Sequence, residues 1–231
     1  MAKVVLIGYG KMGKKIAELA PSCKHEIIGR IHCARDDLAV LQQADVAIDF
    51  ATCADPKAHF ERILSWKTPV VIGATGWESH LPYLRKQVEK QRVGVLIGAN
   101  FSMGLYRFRA LLVQAAQTLK SMDRYDVAGV ESHHKEKRDA PSGTAKQIKS
   151  DFAEQGLGEL SFSSVRIGTA IGTHRVIFDS PEDTIELVHA AKDRAGFARG
   201  ALAAAEWLIG KQGLVTFDDF MASNREVEVC S

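Results

Sequence analysis

The sequence has few cysteines, and none of them is spaced as metal sites and disulfide frameworks require. The 231 residues include four cysteines, at positions 23, 33, 53 and 230. They form no CxxC pair, and they show no Cys/His ligand spacing of the kind that zinc sites use. We therefore expect reduced thiols, with neither a disulfide framework nor a metal site.

The sequence also lacks an excess of charge of either sign. Its 30 Lys and Arg residues and 28 Asp and Glu residues leave a formal net charge of +2. That balance does not favour a polyanionic partner, so we expect no binding of nucleic acid. A composition of 46% hydrophobic and 25% charged residues is ordinary for a globular chain of one large domain or two modest ones.

Long hydrophobic runs are missing as well. No segment reaches the roughly eighteen unbroken apolar residues that a membrane-spanning helix needs. The apolar run beside Met1 is too short for a secretion signal and continues directly into a glycine turn. We expect a cytoplasmic protein that has no membrane partner.

Short branched-aliphatic runs alternate with helical patterns over the first hundred residues. The pattern predicts strands at 4–7, 26–31, 45–50, 69–72 and 93–97, and helices at 11–20, 56–65 and 81–91. Runs that are apolar throughout are typical of parallel strands covered on both faces. This half of the chain is therefore predicted to be α/β, with a Rossmann-like doubly wound parallel sheet.

The pattern changes after Asn100. Apolar residues between 105 and 119 recur at helical spacing and predict a long amphipathic helix. Residues 174–178 and 185–189 then alternate as strands with no helix between them. Strands that follow one another directly predict a second, α+β domain with an open mixed or antiparallel sheet. An alanine-rich helix is expected at 197–209, where Gly210 would end it.

A glycine-rich turn follows the first predicted strand. The run Gly8-Tyr9-Gly10-Lys11-Met12-Gly13 fits GxGxxG and opens a predicted helix. In this pattern the first glycine permits the tight turn, the second lets the backbone approach a pyrophosphate, and the third allows close packing of helix on strand. The helix amides would hold the phosphates. The turn predicts a dinucleotide site, and the alternative is a purely structural turn.

The end of the second predicted strand bears on the choice of nucleotide. NAD-binding sites place a carboxylate about twenty residues after the glycine turn, to bind the ribose diol. Here no carboxylate occurs before Asp36, whereas Arg30, His32 and Arg35 could contact a 2′-phosphate. We therefore predict that NADPH is preferred or at least accepted. The alternative is that these are solvated loop side chains.

Two later turns follow predicted strands, at Gly73-Ala74-Thr75-Gly76 and at Gly98-Ala99-Asn100-Phe101-Ser102. Because ligands of doubly wound sheets bind at the carboxyl ends of the strands, we expect these turns to offer backbone groups to the nicotinamide.

The densest polar stretch, residues 131–145, reads ESHHKEKRDAPSGTA and follows a strand predicted at 125–130. Ser142 is a candidate cap for a helix running to about Gln155. Free amides at Gly143 and Thr144 would bind a carboxylate. The two adjacent histidines add cationic donors and a possible proton source. The alternative is a solvated charged loop.

This stretch resembles the dihydrodipicolinate reductase signature E-x-H-H-x-x-K-x-D-x-P-S-G-T-A, with all ten fixed positions matched. The resemblance extends over nearly the whole chain. It includes the GYGKMG turn, Ile48-Asp49-Phe50, the GATG turn, 99–102, Gly172-Thr173-His174, and the segment from Arg194 to Ala201.

The resemblance implies an NAD(P)H-dependent reduction of 4-hydroxy-tetrahydrodipicolinate to tetrahydrodipicolinate, in lysine and diaminopimelate biosynthesis. It implies that His133 and Lys137 are catalytic, with the choice of proton donor between them open, and that His134, Gly143 and Thr144 bind substrate carboxylate. A homotetramer built through the sheet of the second domain is also implied. With Arg30, the expected cofactor-binding residues are Gly8, Tyr9, Gly10, Lys11, Met12, Gly73, Ala74, Thr75, Gly98, Ala99, Asn100 and Phe101.

We expect residues 1–102 and 196–231 to form a dinucleotide-binding domain, and 103–195 a domain for substrate binding and oligomerisation. Two other functions fit the first domain: a dehydrogenase of small amino or dicarboxylic acids, and a nicotinamide-sensing protein without activity. The stretch from His133 to Thr144 argues against the first, and the presence of both His133 and Lys137 argues against the second.

Overall fold

The structure, a computed structural model, describes residues 1–32, 38–73, 80–120, 122 and 124–223. The chain divides into two compact units. The first unit contains Met1–Phe101 and Ala195–Ser231, and the second unit contains Ser102–Arg194. Within the described residues, no helix is both long enough and apolar enough to cross a bilayer.

Ten strands and seven α-helices are assigned within the described ranges. The strands are β1 (Ala2–Ile7), β2 (His25–Ile31), β3 (Val46–Asp49), β4 (Val70–Ile72), β5 (Gly94–Ile97), β6 (Asp126–His133), β7 (Ser161–Arg166), β8 (Thr173–Asp179), β9 (Thr184–Ala190) and β10 (Gly213–Thr216). The helices are α1 (Lys11–Leu19), α2 (Pro56–Leu64), α3 (Leu81–Gln91), α4 (Met103–Lys120), α5 (Gly143–Glu154), α6 (Ala195–Leu208) and α7 (Phe217–Ser223), and a short 3-10 helix spans Ala39–Gln43.

The first unit contains a six-stranded parallel sheet in the order β10-β5-β4-β3-β1-β2. The predicted Rossmann-like fold is therefore confirmed. The chain leaves β1 toward β2 on one side and returns to β3 on the other side of β1. The sheet thus has a topological switch point between β1 and β3, where such folds bind ligands. The glycine turn follows β1 at this point.

Both faces of this sheet are buried, as the apolar runs predict. On one face, alternate residues of the strands pack against α2 and α3. The helix residues in this core include Phe60, Ile63, Leu84 and Val88. The intervening residues, among them Val4 and Leu6, are also fully buried, and α1 and α6 pack together and against the strands. The small residues of α6 permit a close approach. A Cβ on Gly200 would lie 1.9 Å from the carbonyl oxygen of Phe101.

The second unit contains a four-stranded sheet in the order β7-β6-β8-β9. Strand β7 pairs parallel to β6, and the other two pairings are antiparallel. The predicted open mixed sheet is therefore confirmed. Its inner face packs on α4 and α5 around Phe108, Leu112, Phe152 and Phe178. Its outer face carries residues such as Val165 and Val188, which are 41% and 48% exposed.

The structure corrects two expectations. Cys23 is disulfide-bonded, so the prediction of reduced thiols is wrong at that position, while Cys53 is free. Strand β6 also continues to His133, three residues beyond the predicted end at 130. The polar side chains at the end of this strand are typical of a loop, but backbone pairing with β7 and β8 keeps the segment extended.

Candidate functional site

The glycine turn after β1 is shaped so that only glycine fits its key positions. Gly8 has φ +85°, and a Cβ there would lie 2.5 Å from the amide nitrogen of Ala51. A Cβ on Gly13 would lie 2.3 Å from the carbonyl oxygen of Gly8. By contrast, a Cβ on Gly10 would have no described atom within 4 Å. The turn is therefore tightly packed at Gly8 and Gly13, whereas the backbone of Gly10 is open to a ligand.

The start of α1 suits the diphosphate of a dinucleotide. Gly10 is the N-cap and makes no side-chain cap hydrogen bond, and the first turn contains no acidic residue. The amides of this turn and the positive end of the helix dipole favour an anion. Lys11 is exposed and Met12 is half-buried. The open backbone at Gly10 thus meets the requirement for close approach of a diphosphate.

A buried hydrogen-bonded pair supports this turn from the neighbouring strand. Asp49, at the end of β3, accepts a hydrogen bond from the Ala51 amide at 2.8 Å. Its other oxygen lies 2.7 Å from Nε2 of His59 on α2. Because Ala51 abuts Gly8, Asp49 and His59 together fix the wall against which the glycine turn packs.

Three side chains cluster where β1 and β2 end. The Arg30 guanidinium lies 4.9 Å from the centre of the Tyr9 ring, and the His32 ring contacts Tyr9 edge-on at 5.8 Å. Arg30 and His32 are exposed. The structure thus brings Arg30 and His32 together around Tyr9, and both side chains are accessible. Arg35 lies outside the described residues.

The two later turns are also tightly packed glycine turns. A Cβ on Gly73 would lie 2.1 Å from the Phe50 ring, and one on Gly98 would lie 2.9 Å from the Phe101 ring. The Phe101 ring is buried against Phe50 and Phe217, so only its backbone could face a ligand. Ala99 is exposed, and Asn100 is half-buried. The predicted cofactor residues Ala74 and Thr75 lie outside the described residues.

In the second unit, strand alternation brings Glu131 and His133 together. The two residues are separated by one position in β6, so their side chains lie on the same face of the sheet. Nδ1 of His133 is hydrogen-bonded to Oε2 of Glu131. His174 lies directly opposite Glu131 in β8, and Arg166 lies opposite His133 in β7. Four polar side chains thus converge on the inner face at one end of the sheet.

Glu131 is the centre of this cluster and is fully buried, with 0% exposure. Its Oε1 accepts hydrogen bonds from Arg166 at 2.8 Å and from the Ser142 amide at 3.3 Å. Burial opposes ionisation, but hydrogen bonds from Arg166, Ser164 and His133 lower the pKa of Glu131 to about 2. Glu131 is therefore an ionised carboxylate at neutral pH.

The two neighbouring histidines are held in their neutral form. Burial lowers the pKa of His133, and Lys137 and Arg166 add to this effect, whereas Glu131 raises it. Burial also lowers the pKa of His174 to about 4, with His133 contributing. Nε2 of His174 lies 3.2 Å from Oγ of Ser142, the residue that caps α5. Neutral histidines at this site can take up and release protons.

Gly143, one of the predicted carboxylate-binding residues, and Lys137, which is predicted to be catalytic, both contact a carboxylate of the chain itself. Nζ of Lys137 lies 2.8 Å from Oδ1 of Asp139. Burial opposes the shift, but Lys137 and the amides of Asp139 and Gly143 lower the pKa of the Asp139 carboxyl. Asp139 thus marks a place where a cation and the start of α5 together bind a carboxylate.

Glu131 is hydrogen-bonded to both His133 and the amide of Ser142, the residue before Gly143. Asp139 contacts both Lys137 and the amide of Gly143. These contacts bring His133, Lys137 and Gly143 together. His134 and Thr144 are half-buried beside them, and within the described ranges Nδ1 of His134 has no hydrogen-bond partner. Sequence patterns alone assign no role to Glu131, Asp139, Arg166 or His174. Glu131 and Asp139 were visible as fixed positions of the signature, and His174 as part of the Gly172-Thr173-His174 match, whereas Arg166 had no local signal.

Glu131, His133 and His174 lie close enough to be considered as a metal site, with ligand atoms within 4.8 Å of one another. However, Oε1 of Glu131 already accepts from a guanidinium and Oε2 from His133. The positive charge of Arg166 beside the carboxylate disfavours a cation there. We therefore interpret the cluster as a hydrogen-bonded network.

Comparison with known proteins identifies the same family over both units. Residues 2–101 match the model "Dihydrodipicolinate reductase, N-terminus", and residues 104–221 match "Dihydrodipicolinate reductase, C-terminus". A relative from Christiangramia forsetii, named 4-hydroxy-tetrahydrodipicolinate reductase, is 34% identical over 95% of this chain and 97% of its own length. One of the same name from Zymomonas mobilis is 36% identical over 89% and 91%.

Solved structures share the fold. Dipicolinate-bound dihydrodipicolinate reductase from Paenisporosarcina sp. TG-14 matches with a TM-score of 0.73 at 21% identity, over 95% of this chain and 99% of that one. Amine dehydrogenase from Mycobacterium smegmatis matches with a TM-score of 0.63 at 13% identity, over 94% and 95%. Because both enzymes have this fold, the fold alone does not distinguish between their reactions.

Proposed function

Because the chain belongs to the dihydrodipicolinate reductase family, we propose that it reduces 4-hydroxy-tetrahydrodipicolinate to tetrahydrodipicolinate, using NADPH or NADH. This reaction belongs to lysine and diaminopimelate biosynthesis. A hydride and a proton enter the substrate, and water and the oxidised nucleotide leave. The observation that carries the proposal is the network around Glu131, which joins His133 to the carboxylate-binding start of α5. A dehydrogenase of simple amines would not need a site of this kind for carboxylates.

The first unit binds the dinucleotide and the second unit binds the dicarboxylate. Support for the first assignment is the open backbone at Gly10, beside tightly packed Gly8 and Gly13. Support for the second is the carboxylate site of Lys137 and Gly143. Reduced nicotinamide supplies the hydride when it is bound. The residues of the chain therefore have to orient the ring of the substrate and transfer one proton to it.

Lys137 and the Gly143 amide bind one substrate carboxylate, which replaces the side chain of Asp139. Asp139 is exposed enough to move, since its side chain is 46% accessible. His134 and Thr144 lie beside this site and contact the same substrate. Fixing a rigid ring by its carboxylates orients the electrophilic carbon for hydride transfer.

His133 exchanges the proton. Its Nδ1 is bonded to Glu131, which leaves Nε2 to face a reacting group. Lys137 is less suited to this task because its ammonium is committed to a carboxylate. Proton transfer by a positioned histidine contributes about 10² to 10⁴ in rate.

The test is a coupled assay, in which the product of dihydrodipicolinate synthase is offered with each nucleotide. Turnover in both cases, higher with NADPH, is expected. Lys137→Ala should raise KM for the dicarboxylate, and His133→Gln should lower kcat. Lys135→Ala, which removes an exposed cation two residues from Lys137, is the matched control. Absence of turnover by the purified wild-type protein with either nucleotide would contradict the proposal.

The chain forms a homotetramer through the outer face of the second unit's sheet. Apolar residues Val130, Val165, Ile177 and Val188 lie on this face, opposite the face that packs on α4 and α5. The same face carries the exposed ion pair of Arg175 and Glu186. An accessible sheet face with this composition is suited to packing on a second copy. Sedimentation velocity on wild type and on Val188→Asp tests it. A wild-type monomer at micromolar concentration would contradict it.

The enzyme works in the cytoplasm, the compartment that supplies reduced nicotinamide to biosynthesis. Disulfides are unusual in the cytoplasm, whereas Cys23 is disulfide-bonded in the structure. The number of free thiols in the cytoplasmic protein therefore shows whether this disulfide forms there. Fractionation of the native host, with thiol titration of the cytoplasmic pool, tests this assignment. Recovery only from an extracytoplasmic fraction would contradict it.

A further inference from the structure

We propose that Glu131 is a positioning residue that fixes which nitrogen of His133 exchanges the proton and ties that histidine to the start of the substrate-binding helix. The inference rests on the proposed function, because it concerns how His133 acts in that reaction. Glu131 itself is buried behind His133 and Ser142, and acts through them.

Both oxygens of Glu131 have defined partners. Oε1 accepts from the Arg166 guanidinium and from the Ser142 amide. Both groups can only donate, so this oxygen must be an acceptor. Arg166 is itself held, because it also donates to the backbone carbonyls of Lys137 and Asp139. The carboxylate therefore cannot rotate freely.

These contacts determine the tautomer of His133. The Ser164 hydroxyl also donates to this carboxylate. Because an ionised carboxylate can only accept, the hydrogen bond between Oε2 and Nδ1 of His133 must be donated by the histidine. A neutral His133 must then carry its proton on Nδ1 and leave Nε2 as the basic atom. Space beside Nε2 is kept clear by Gly172, since a Cβ there would lie 2.9 Å from Nε2. Proton exchange is thus directed to Nε2.

Ser142 connects the histidine to the proposed substrate site. Ser142 caps α5 by accepting from the Ala145 amide at 3.2 Å, and its own amide is bound by Glu131. The carboxylate of Glu131 thus binds both the ring of His133 and the amide of Ser142, the residue that precedes Gly143. A shift of Glu131 would displace both His133 and Ser142. One buried residue thus fixes the position of the proton-exchanging ring relative to the carboxylate site.

Charged groups around His133 come from each element packed against it. Glu131 lies on the same strand, Arg166 on β7 and Lys137 in the following loop. The neutral ring of His174 on β8 contacts the ring of His133. Of these, Glu131 raises the pKa of His133, whereas Lys137 and Arg166 lower it. Loss of the negative charge at 131 should therefore move the pH-rate limb of His133 to lower pH.

The decisive variant is Glu131→Gln, which is nearly the same size. Its carbonyl oxygen must face the two donors Arg166 and Ser142, so its NH₂ group must face His133. That geometry forces Nδ1 to accept and places the proton on Nε2, the wrong tautomer for return of the ring to its resting state. We expect kcat to fall by about 10² to 10⁴, and KM for the dicarboxylate to change little because the Ser142 contact survives.

The tautomer is read directly by long-range ¹H–¹⁵N NMR on protein labelled at histidine, with His133 assigned by loss of its signals in His133→Gln. Wild type should show Nδ1–H, and Glu131→Gln should show Nε2–H. Glu182→Gln, which removes an exposed carboxylate of the same unit, should match wild type in kcat and tautomer. Unchanged melting temperature would exclude a general loss of folding as the cause.

The outcomes separate this inference from the proposed function. Turnover by wild type with an Nε2–H tautomer, or with full kcat in Glu131→Gln, would overturn the inference and leave the reaction intact. No turnover by wild type would instead contradict the proposed function. If Glu131→Gln does not fold, the tautomer of the wild-type protein decides the question alone.

Discussion

The carboxylate of Asp139 lies 2.8 Å from the ammonium of Lys137 and also accepts a hydrogen bond from the amide of Gly143. The family resemblance assigns Gly143 to a carboxylate of the substrate, and it gives Lys137 a catalytic role. Under the proposed function, the carboxylate of Asp139 competes with the substrate for these contacts. An exposed ion pair of this kind is worth about 0–1 kcal/mol, so the competition is weak enough for a dicarboxylate to win.

Replacing Asp139 should strengthen binding of the dicarboxylate. In Asp139→Asn the amide oxygen can still accept from Gly143, but the charge that competes for Lys137 is gone. We expect KM to fall about two- to fivefold, the equivalent of up to about 1 kcal/mol, with kcat nearly unchanged. Steady-state kinetics measures both. Glu136→Gln changes the same net charge in the same exposed loop and should have little effect. A higher KM in Asp139→Asn would mean that Asp139 orients Lys137 rather than competing for it.

Glycine at position 10 should be required for binding rather than for folding. A methyl group at Gly10 meets no described atom within 4 Å, whereas one at Gly8 would collide with the backbone of Ala51. Gly10→Ala should therefore keep the wild-type melting temperature and raise KM for the nucleotide, because the methyl group lies where a diphosphate must approach. Gly8→Ala, the paired variant, should lower the melting temperature. Normal nucleotide affinity in Gly10→Ala would remove α1 from the phosphate site.

Arg30 should discriminate between the two nucleotides. Its guanidinium is positioned by the Tyr9 ring at the end of β2. A charged hydrogen bond to a 2′-phosphate is worth about 1.5–3 kcal/mol, so Arg30→Ala should lower kcat/KM for NADPH about tenfold or more. The value for NADH should stay nearly constant. Lys14→Ala, an exposed cation on α1, controls for general charge. Equal losses with both nucleotides would count against a 2′-phosphate contact.

Acid should destabilise the second unit through His174. Its folded-state pKa of about 4 lies below the unfolded value of 6.5, so the unfolded chain binds more protons at mildly acidic pH. The contribution to stability is present above pH 6.5 and is lost as the pH falls toward 4. The loss is on the order of 2–3 kcal/mol. Glu131, with its pKa lowered to about 2, adds a further loss below about pH 4.5.

Hydrogen exchange of peptides from the second unit measures this dependence, since all three tryptophans lie in the first unit and do not report on it. His174→Asn should flatten the dependence between pH 6.5 and 4. The control His32→Gln removes an exposed histidine of the first unit and should leave it unchanged. A pH dependence of the same slope in His174→Asn would assign the effect to another group.

Sequence alone determined the features that depend on neighbouring residues. The apolar runs predict β1, β3, β4 and β5 because buried parallel strands are hydrophobic on both faces. The glycine turn and the Ser142 cap are likewise local, since a tight turn or a helix start requires specific residue types at specific positions. The family signature belongs here too, because its ten fixed positions lie within fifteen residues.

Tertiary structure decided what depends on pairing between distant segments. Strand β7 has no apolar alternation, and it becomes a strand because its backbone pairs with β6. That pairing brings Arg166 to Glu131, 35 residues away in sequence, and the pairing of β8 brings His174 to the same place. No local pattern encodes such contacts, because their energy comes from burial and hydrogen bonding that exist only after the sheet has assembled. The sequence therefore names the candidate residues of the site, whereas the hydrogen bonds that connect them are seen only in the folded structure.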